Sequence, residues 1–210
     1  MDEAFRKTTD FYNKQAEAFE AKTKDLQKHA WVDRFTSLVP EHGQILDIGC
    51  AYGRDSRSFA DAGMRVEGID GSEAMVEKAQ KLVPEGKFFT GDIRSVPLEE
   101  QKYDGMWASG LFVHIPKQDI SALLEKLNGA LAEKGKLYGS IYLGTEEGLV
   151  KDERFEGAEK YYTYFTEEEF RSLLVEAGFE IVDFSPRIAS EYERADVLEF
   201  IVEKANSSHL

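Results

Sequence analysis

From Gln44 onward, short apolar runs alternate with amphipathic helical stretches, and that alternation limits the fold more than any other feature of the 210 residues. Gln44 to Ile48 reads as a strand, Arg54 to Ala62 as a helix stopped by Gly63, and Arg65 to Ile69 as a second strand. Ser72 opens the next helix, with Glu73 in its first turn; Lys87 to Thr90 and Tyr103 to Ala108 are strands. Gln118 to Ala132 reads as a helix that buries Leu123, Leu124, Leu127 and Leu131 and ends at Gly135, before a fifth strand from Lys136 to Leu143. Thr166 caps a helix through Ala177, with Glu169 at the capping-box position and Gly178 as its stop. Glu180 to Phe184 and Val197 to Glu203 are strands with no helix between them, so they pair antiparallel or sit apart. Strands alternating with helices over short connections predict a parallel sheet covered on both faces.

Two stretches depart from this rhythm. Residues 1–38 look helical throughout, with Phe11, Ala18, Phe19, Leu26, Ala30 and Phe35 at roughly helical spacing before Pro40 and Gly43. Between Leu143 and Thr166 the chain carries Glu146, Glu147, Asp152, Glu153, Glu156 and Glu159, then Tyr161-Tyr162-Thr163-Tyr164-Phe165. That stretch reads either as an acidic, aromatic lid for an amine-bearing or aromatic ligand, or as a solvated loop and a short strand burying alternate aromatics.

Charge and cysteine usage exclude several classes. Lys and Arg number 26 against 40 Asp and Glu, a net charge of -14, which repels a nucleic-acid backbone. The lysines near the N-terminus (Lys7, Lys14, Lys22, Lys24, Lys28) are interleaved with Asp10, Glu17, Glu20 and Asp25, as on a solvated helix face. A single cysteine, Cys50, rules out an intrachain disulfide and a cysteine-rich zinc site; His29, His42 and His209 show no metal-ligand spacing. With no signal-like start and no apolar run of membrane-spanning length, the expectation is a soluble cytoplasmic protein without membrane or nucleic-acid partners.

The stretch Ile45-Leu46-Asp47-Ile48-Gly49-Cys50-Ala51-Tyr52-Gly53-Arg54 is a strand, a glycine-bearing turn and a helix start. Ligands of open parallel sheets bind beyond the carboxyl ends of the strands, where such turns lie. Asp70 stands at the end of the next strand, where a carboxylate can accept from both hydroxyls of a ribose. A dinucleotide fingerprint G-x-G-x-x-G does not fit, because Ala51 and Arg54 fall where the second and third glycines belong. A purely structural reading makes Gly49 and Gly53 turn residues and Asp47 and Asp70 helix caps.

The same stretch resembles the first motif, D-x-G-x-G-x-G, of the Rossmann-like S-adenosylmethionine-dependent methyltransferases: Asp47, Gly49 and Gly53 match and Ala51 departs. Further along, Asp70-Gly71-Ser72-Glu73-Ala74-Met75 is similar to that family's ribose-binding segment and Gly91-Asp92-Ile93 to its adenine-contacting segment. Tyr103 to Ser109 resembles the fourth strand, and Leu131-Ala132-Glu133-Lys134-Gly135-Lys136-Leu137 the turn into the fifth. The likeness runs from about Phe11 to Phe184. Gly53-Arg54-Asp55-Ser56 and the helix start Phe165 to Phe170 also resemble a bacterial group of tellurite-resistance-type and small-molecule methyltransferases.

The resemblance implies one methyltransferase domain over residues 1–210, with a helical cap at 1–40 and an insertion on the substrate side at 144–165. It implies a mostly parallel seven-stranded sheet with an antiparallel last strand. The cofactor would be S-adenosylmethionine and the partner a small-molecule methyl acceptor. Asp47 would order the first loop and face the amino-acid end of the cofactor. Gly49 and Cys50 would offer backbone groups there, and Gly53 would permit close approach. Asp70, followed by Gly71, would hold the ribose. Asp92 would accept from the adenine amino group, with Met75 and Ile93 over the ring faces. Ser109 and Leu111 would line the methionine side, and Tyr12 and Phe19 would close over it. His114 is the candidate general base, since it follows the fourth strand and has an ordinary pKa near neutrality. Arg187 and Tyr192 are candidates to reach the pocket. A non-catalytic cofactor-binding sensor or partner subunit is the alternative.

Overall fold

The computed structural model describes residues 2–24, 30–152, 155, 157–190 and 193–205. Asp25, Leu26, Lys28, His29, Glu153, Glu156, Tyr192 and His209 lie outside the described residues. Five strands, β1 (Gln44–Ile48), β2 (Arg65–Asp70), β3 (Lys87–Thr90), β4 (Tyr103–Ala108) and β5 (Leu131–Leu143), pair in parallel in the order β3-β2-β1-β4-β5. The stretch that left the rhythm is an antiparallel hairpin, β6 (Glu147–Asp152) and β7 (Ala158–Phe165), and β7 joins the end of β5 through Tyr142–Tyr164 and Leu143–Phe165. The last two strands, β8 (Phe179–Arg187) and β9 (Val197–Lys204), pair antiparallel, and β9 also pairs antiparallel with β5. The main sheet is therefore β3-β2-β1-β4-β5-β9-β8, with β9 its one antiparallel strand, and the hairpin is an addition.

Strand periodicity sorts side chains onto the two faces. Leu46 and Ile48 of β1, with Met106 and Ala108 of β4, join a core under α5 (Lys117–Ala130) and α6 (Glu167–Glu176). Ile45 and Trp107, one residue out of phase, join the opposite core with Val32 and Phe35 of α2 (Ala30–Thr36) and Phe59 of α3 (Arg54–Asp61). Ile120, Leu123, Leu124 and Leu127 of α5 are almost wholly buried, each such side chain contributing about 1.5–3 kcal/mol. Thr166 makes the expected reciprocal capping box with Glu169.

The long N-terminal helix α1 (Glu3–Thr23) is capped by Asp2, whose side chain accepts from the Phe5 amide at 2.8 Å. It packs on the hairpin and on α4 (Glu73–Leu82). Helix does not run unbroken through residue 38: Lys24 lies just past the end of α1, and α2 stops at Thr36. The α5 helix also ends earlier than Ala132. Leu131 is extended and pairs with Tyr103, and Lys134 takes φ 60°, so the turn into β5 is made by a sheet irregularity instead of a glycine-stopped helix. Among the described residues no helix is long and apolar enough to cross a membrane.

Candidate active site

The strand order reverses between β2-β1 and β4-β5, so the loops after β1 and β4 diverge there and leave a crevice. A cavity of about 260 Å³ fills it. Its floor is the β1–α3 loop, the ends of β2 and β4 and the segment after β3; α1 roofs it.

The floor is ordered by short-range hydrogen bonds. The amides of Gly49 and Cys50 donate to the Ile69 carbonyl at 2.7 and 3.2 Å, and the Gly53 amide donates to the Cys50 carbonyl at 2.9 Å. Ala51, where the family motif has glycine, takes φ 47°. That left-handed backbone costs an alanine roughly 1–2 kcal/mol, and the geometry it gives lets the Ala51 amide donate to Asp70 Oδ2 at 2.9 Å. The Ser72 amide donates to Asp70 Oδ1 at 2.8 Å. Each Asp70 oxygen thus takes one amide and retains a lone pair. Burial raises the Asp70 pKa while those two amides oppose the rise.

Asp47 is almost wholly buried and accepts from Ser56 Oγ at 2.6 Å. Burial, reinforced by the nearby Asp55 carboxylate, pushes its pKa up to about 8. Cys50 lines the cavity as a buried thiol whose pKa burial drives up, which makes it a poor nucleophile.

Tyr12, Phe19, Gly49, Gly71, Ile93, Ser109, Leu111 and His114 line the same cavity as Asp47, Cys50, Asp70 and Asp92. Two expected residues do not. Gly53 has φ 89°, and a Cβ on it would lie 3.0 Å from the Ala79 Cα, so its smallness serves the contact between α3 and α4. Met75 is fully buried beneath α1, clustered with Ala16 and Tyr52. Asp92 is already engaged: Arg94 donates to it through Nη2 at 2.7 Å and Nε at 3.0 Å, while Arg94 Nη1 reaches both Asp2 and Asp119 at 2.6 Å. Arg187 is held away from the cavity by Glu193 and by the buried Glu199, the latter at 2.9 Å.

His114 sits in a fixed tautomer. Its Nδ1 is 2.7 Å from the Tyr161 carbonyl, which can only accept, so Nδ1 carries the proton. Nε2 therefore accepts from the Tyr12 hydroxyl at 3.1 Å. Burial, with the Lys160 ammonium nearby, pulls its pKa down to about 3. The ring is neutral at physiological pH, and no His114 titration falls near neutrality, contrary to what its ordinary pKa suggests.

Other lining residues were not assigned to the site from sequence: Phe5, Thr8, Thr9 and Thr23 from α1, Tyr52 from the first loop, and Arg54 and Asp55 at the start of α3, which the sequence offered only within a family-like run. The α1 set was visible in principle, since Phe5, Thr8, Thr9, Tyr12, Phe19 and Thr23 fall on one face at helical spacing.

The donor and acceptor set suits S-adenosylmethionine. A part-buried carboxylate, Asp70, with two spare lone pairs lines the cavity for a ribose, together with apolar Ile93 and Leu111. Asp47 stands by the first loop for a cationic group, and at Gly49 (φ 74°) a side chain would extend toward Leu111 across the cavity wall. Among the described residues no group of three or more His, Cys, Asp or Glu is placed to hold a metal.

Comparison with known proteins agrees with this geometry. Residues 45–135 match the methyltransferase domain family. A trans-aconitate 2-methyltransferase of Variovorax paradoxus is 31% identical over 101 residues, 47% of this chain and 38% of that protein. The chain spans less than half the length of the first curated relatives it matches, 38%, 36% and 42%. A Burkholderia thailandensis 1,6-didemethyltoxoflavin-N1-methyltransferase, solved with its acceptor and S-adenosylhomocysteine, superposes at a TM-score of 0.76 and 20% identity, covering 97% of this chain and 88% of that one. A TehB-like methyltransferase of Corynebacterium glutamicum superposes at 0.69 and 17% identity, over 93% and 97%. Residues 45–135 thus match a methyltransferase domain, and the fold is that of Rossmann-like S-adenosylmethionine-dependent methyltransferase structures.

Proposed function

We propose that the protein binds S-adenosylmethionine in this cavity and transfers its methyl group to a small-molecule acceptor. One observation carries the reading: three acids, Asp47, Asp70 and Asp92, stand at or just beyond the ends of three consecutive parallel strands and line one cavity. When bound, the cofactor supplies a methyl group on a sulfonium, and the protein's task is to bind, orient and exclude water. Asp70 holds the ribose hydroxyls; Asp47, ionised opposite a cationic amine, holds the amino-acid end; Asp92 and Ile93 bound the adenine. Ser109 and Leu111 flank the methionine chain, and Tyr12 and Phe19 close the roof.

The acceptor then meets the Tyr12–His114 pair and the hairpin, which together with the cap at 1–40 form the acceptor side of one domain. That roof is aromatic through Phe5, Tyr12 and Phe19 over a cavity of about 260 Å³, which favours a small acceptor, as in the relatives named for trans-aconitate and for 1,6-didemethyltoxoflavin. Cytoplasmic action, away from nucleic acid, is part of the proposal and rests on the acidic surface and the single cysteine.

Asp70→Ala tests the site. Each charge-assisted hydrogen bond to a ribose hydroxyl is worth about 1.5–3 kcal/mol, so S-adenosylhomocysteine should bind at least about tenfold more weakly in calorimetry. An unchanged dissociation constant in a folded variant removes Asp70 from the site. No heat with S-adenosylmethionine or S-adenosylhomocysteine in the native protein overturns the function; methyl transfer from labelled cofactor in an acceptor screen identifies the substrate.

A further inference from the structure

The Tyr12–His114 pair is polarised in one direction. The Tyr12 ring is pinned by edge contacts with Phe11 and Phe19, whose centroids are 5.1 and 5.5 Å away. Its hydroxyl meets His114 Nε2 at 3.1 Å, and both residues line the cavity. The sense of that bond is set from behind. His114 Nδ1–H is spent on the Tyr161 carbonyl, and Tyr161 is itself fixed by its amide, which donates to Thr8 Oγ1. Nε2 therefore accepts, and the hydrogen it accepts is that of Tyr12. To anything else Tyr12 Oη can offer a lone pair and no hydrogen.

The rest of the lining has the same sign. Among the described residues four carboxyl groups, Asp47, Asp55, Asp70 and Asp92, line the cavity against one guanidinium, Arg54. Arg54 donates from Nε to Asp55 Oδ1 at 2.9 Å, and the buried Trp107 donates from Nε1 to Asp55 Oδ2 at 3.0 Å. Repulsion among these groups already shows. Burial is the larger cause, but Asp55 and Asp70 add to the rise of Asp47, and Asp70 and Asp47 to that of the Cys50 thiol. The Lys160 ammonium near His114 is almost wholly buried, pairs with Asp152 and is not on the cavity wall. A carboxylate or thiolate brought to Tyr12 therefore meets a lone pair inside a negative wall. An O–H or N–H donates to Tyr12 Oη and keeps its own lone pair for the methyl carbon.

We propose that Tyr12 Oη is the contact for the acceptor's reacting group, and that the pair selects a neutral hydroxyl or amine over a carboxylate or thiolate. The proposal rests on the cofactor reading above and narrows its acceptor to one chemical class. Tyr12 touches the acceptor; His114 is a positioning residue that keeps the hydroxyl hydrogen out of the cavity. The pair binds and orients the acceptor's X–H and does not have to take its proton.

The test is isothermal titration with two ligands, and it needs no known acceptor. Sinefungin has an amine-bearing carbon where S-adenosylmethionine has its methylated sulfur, so it puts a hydrogen donor at the methyl position. S-adenosylhomocysteine has none there. The native protein should prefer sinefungin by at least about tenfold, the worth of a charge-assisted contact. Tyr12→Phe keeps the ring and loses the lone pair, so that preference should fall by about tenfold. His114→Leu lets the hydroxyl turn and should lower the preference by about threefold. His114→Gln, whose amide oxygen can take the Tyr12 hydrogen, should restore it. A native protein that binds both ligands alike would overturn the proposal. Equal weakening of both ligands in Tyr12→Phe would mean that Tyr12 only closes the roof, and would overturn it too. So would methyl transfer to benzoate or trans-aconitate faster than to phenol or aniline. If the native protein binds neither ligand, the cofactor reading fails first and the acceptor class with it. Thermal unfolding of each variant, matched to the native protein, shows that the comparison is made on folded chains.

Discussion

The floor and the roof of the cavity are built by different means. In the floor, partners are close in sequence: Asp47 and Ser56, Ala51 and Asp70, Asp70 and Ser72 are nine, nineteen and two residues apart. In the roof, Tyr12 meets His114, Lys7 pairs with Glu159 at 2.8 Å, and the Tyr161 amide donates to Thr8 Oγ1 at 3.2 Å, with separations of 102, 152 and 153 residues. The floor rests on the buried parallel sheet. The roof is an amphipathic helix and a hairpin held together largely by polar and aromatic contacts. A rigid floor with a separately stabilised roof is the arrangement expected where a cofactor must enter and water must then be kept out.

The centre of the roof is Lys160. Its ammonium pairs with Asp152 at 3.2 Å, with both side chains almost wholly buried, and lies 4.2 Å from the Phe11 ring centroid and 5.1 Å from that of Tyr12. Lys160→Met should give the largest effect of any single change here. Removing one partner of a buried pair costs about 3–5 kcal/mol because the other charge is left behind. Hydrogen exchange should show the loss confined to α1, β6 and β7, with β1, β2 and β4 still protected. Uniform loss across the sheet would mean that floor and roof unfold as one unit.

This difference also decided what could be read from sequence. The alternation after Gln44 and the ordered motifs around Asp47, Asp70 and Asp92 gave the sheet and most of the cavity floor, because each is local. Ala51 shows the limit: the sequence departs from glycine there, yet the backbone keeps the left-handed conformation. Of the hairpin, the sequence offered a short strand burying alternate aromatics as one of two readings, and β7 is that strand; β6 was not foreseen. Nothing in Tyr161-Tyr162-Thr163-Tyr164-Phe165 says which strand it pairs with, since that depends on Glu147 to Asp152 opposite it. Arg94 shielding Asp92 and Trp107 anchoring Asp55 were likewise hidden, being side-chain partnerships without a spacing rule.

His114 couples the two regions, because it follows the floor's β4 but bonds to Tyr12 and Tyr161 of the roof. Its pKa is pulled from 6.5 to about 3 in the folded protein. The unfolded chain therefore binds one proton more than the native state between those values. This contribution to stability is complete above about pH 6.5 and is lost as pH falls toward 3, by at most about 1.4 kcal/mol per pH unit. His114→Gln should flatten the acid limb of a stability–pH curve by up to one proton between pH 4 and 6. A native curve already flat there would mean that the imidazole reaches solvent and that the roof stands open at rest.

The smallest effect should come from the contacts that pin the outer end of α1. Lys78 of α4 pairs with Glu17 at 2.6 Å and Glu20 at 2.8 Å, and Glu17 is 88% exposed. Pairs of this kind are worth about 0.2–1 kcal/mol and are screened by salt, so Lys78→Ala should barely move the midpoint of global unfolding. The roof can still respond. Asn13 Oδ1, one turn before Glu17, accepts from Ser72 Oγ at 2.8 Å and from the Ala74 amide at 3.2 Å, so the helix remains tethered near its middle when the outer pairs go. The C-terminal turns of α1, with Phe19 and Thr23 on the cavity wall, should then fray more often than the rest. The expected result is faster dissociation of S-adenosylhomocysteine in stopped-flow measurements, with association changed less, and a native protein in 1 M salt that behaves like the variant. If dissociation is unchanged while Lys160→Met accelerates it, the roof opens at the hairpin and not at the outer end of α1, and the tether at Asn13 lies on the fixed side of the hinge.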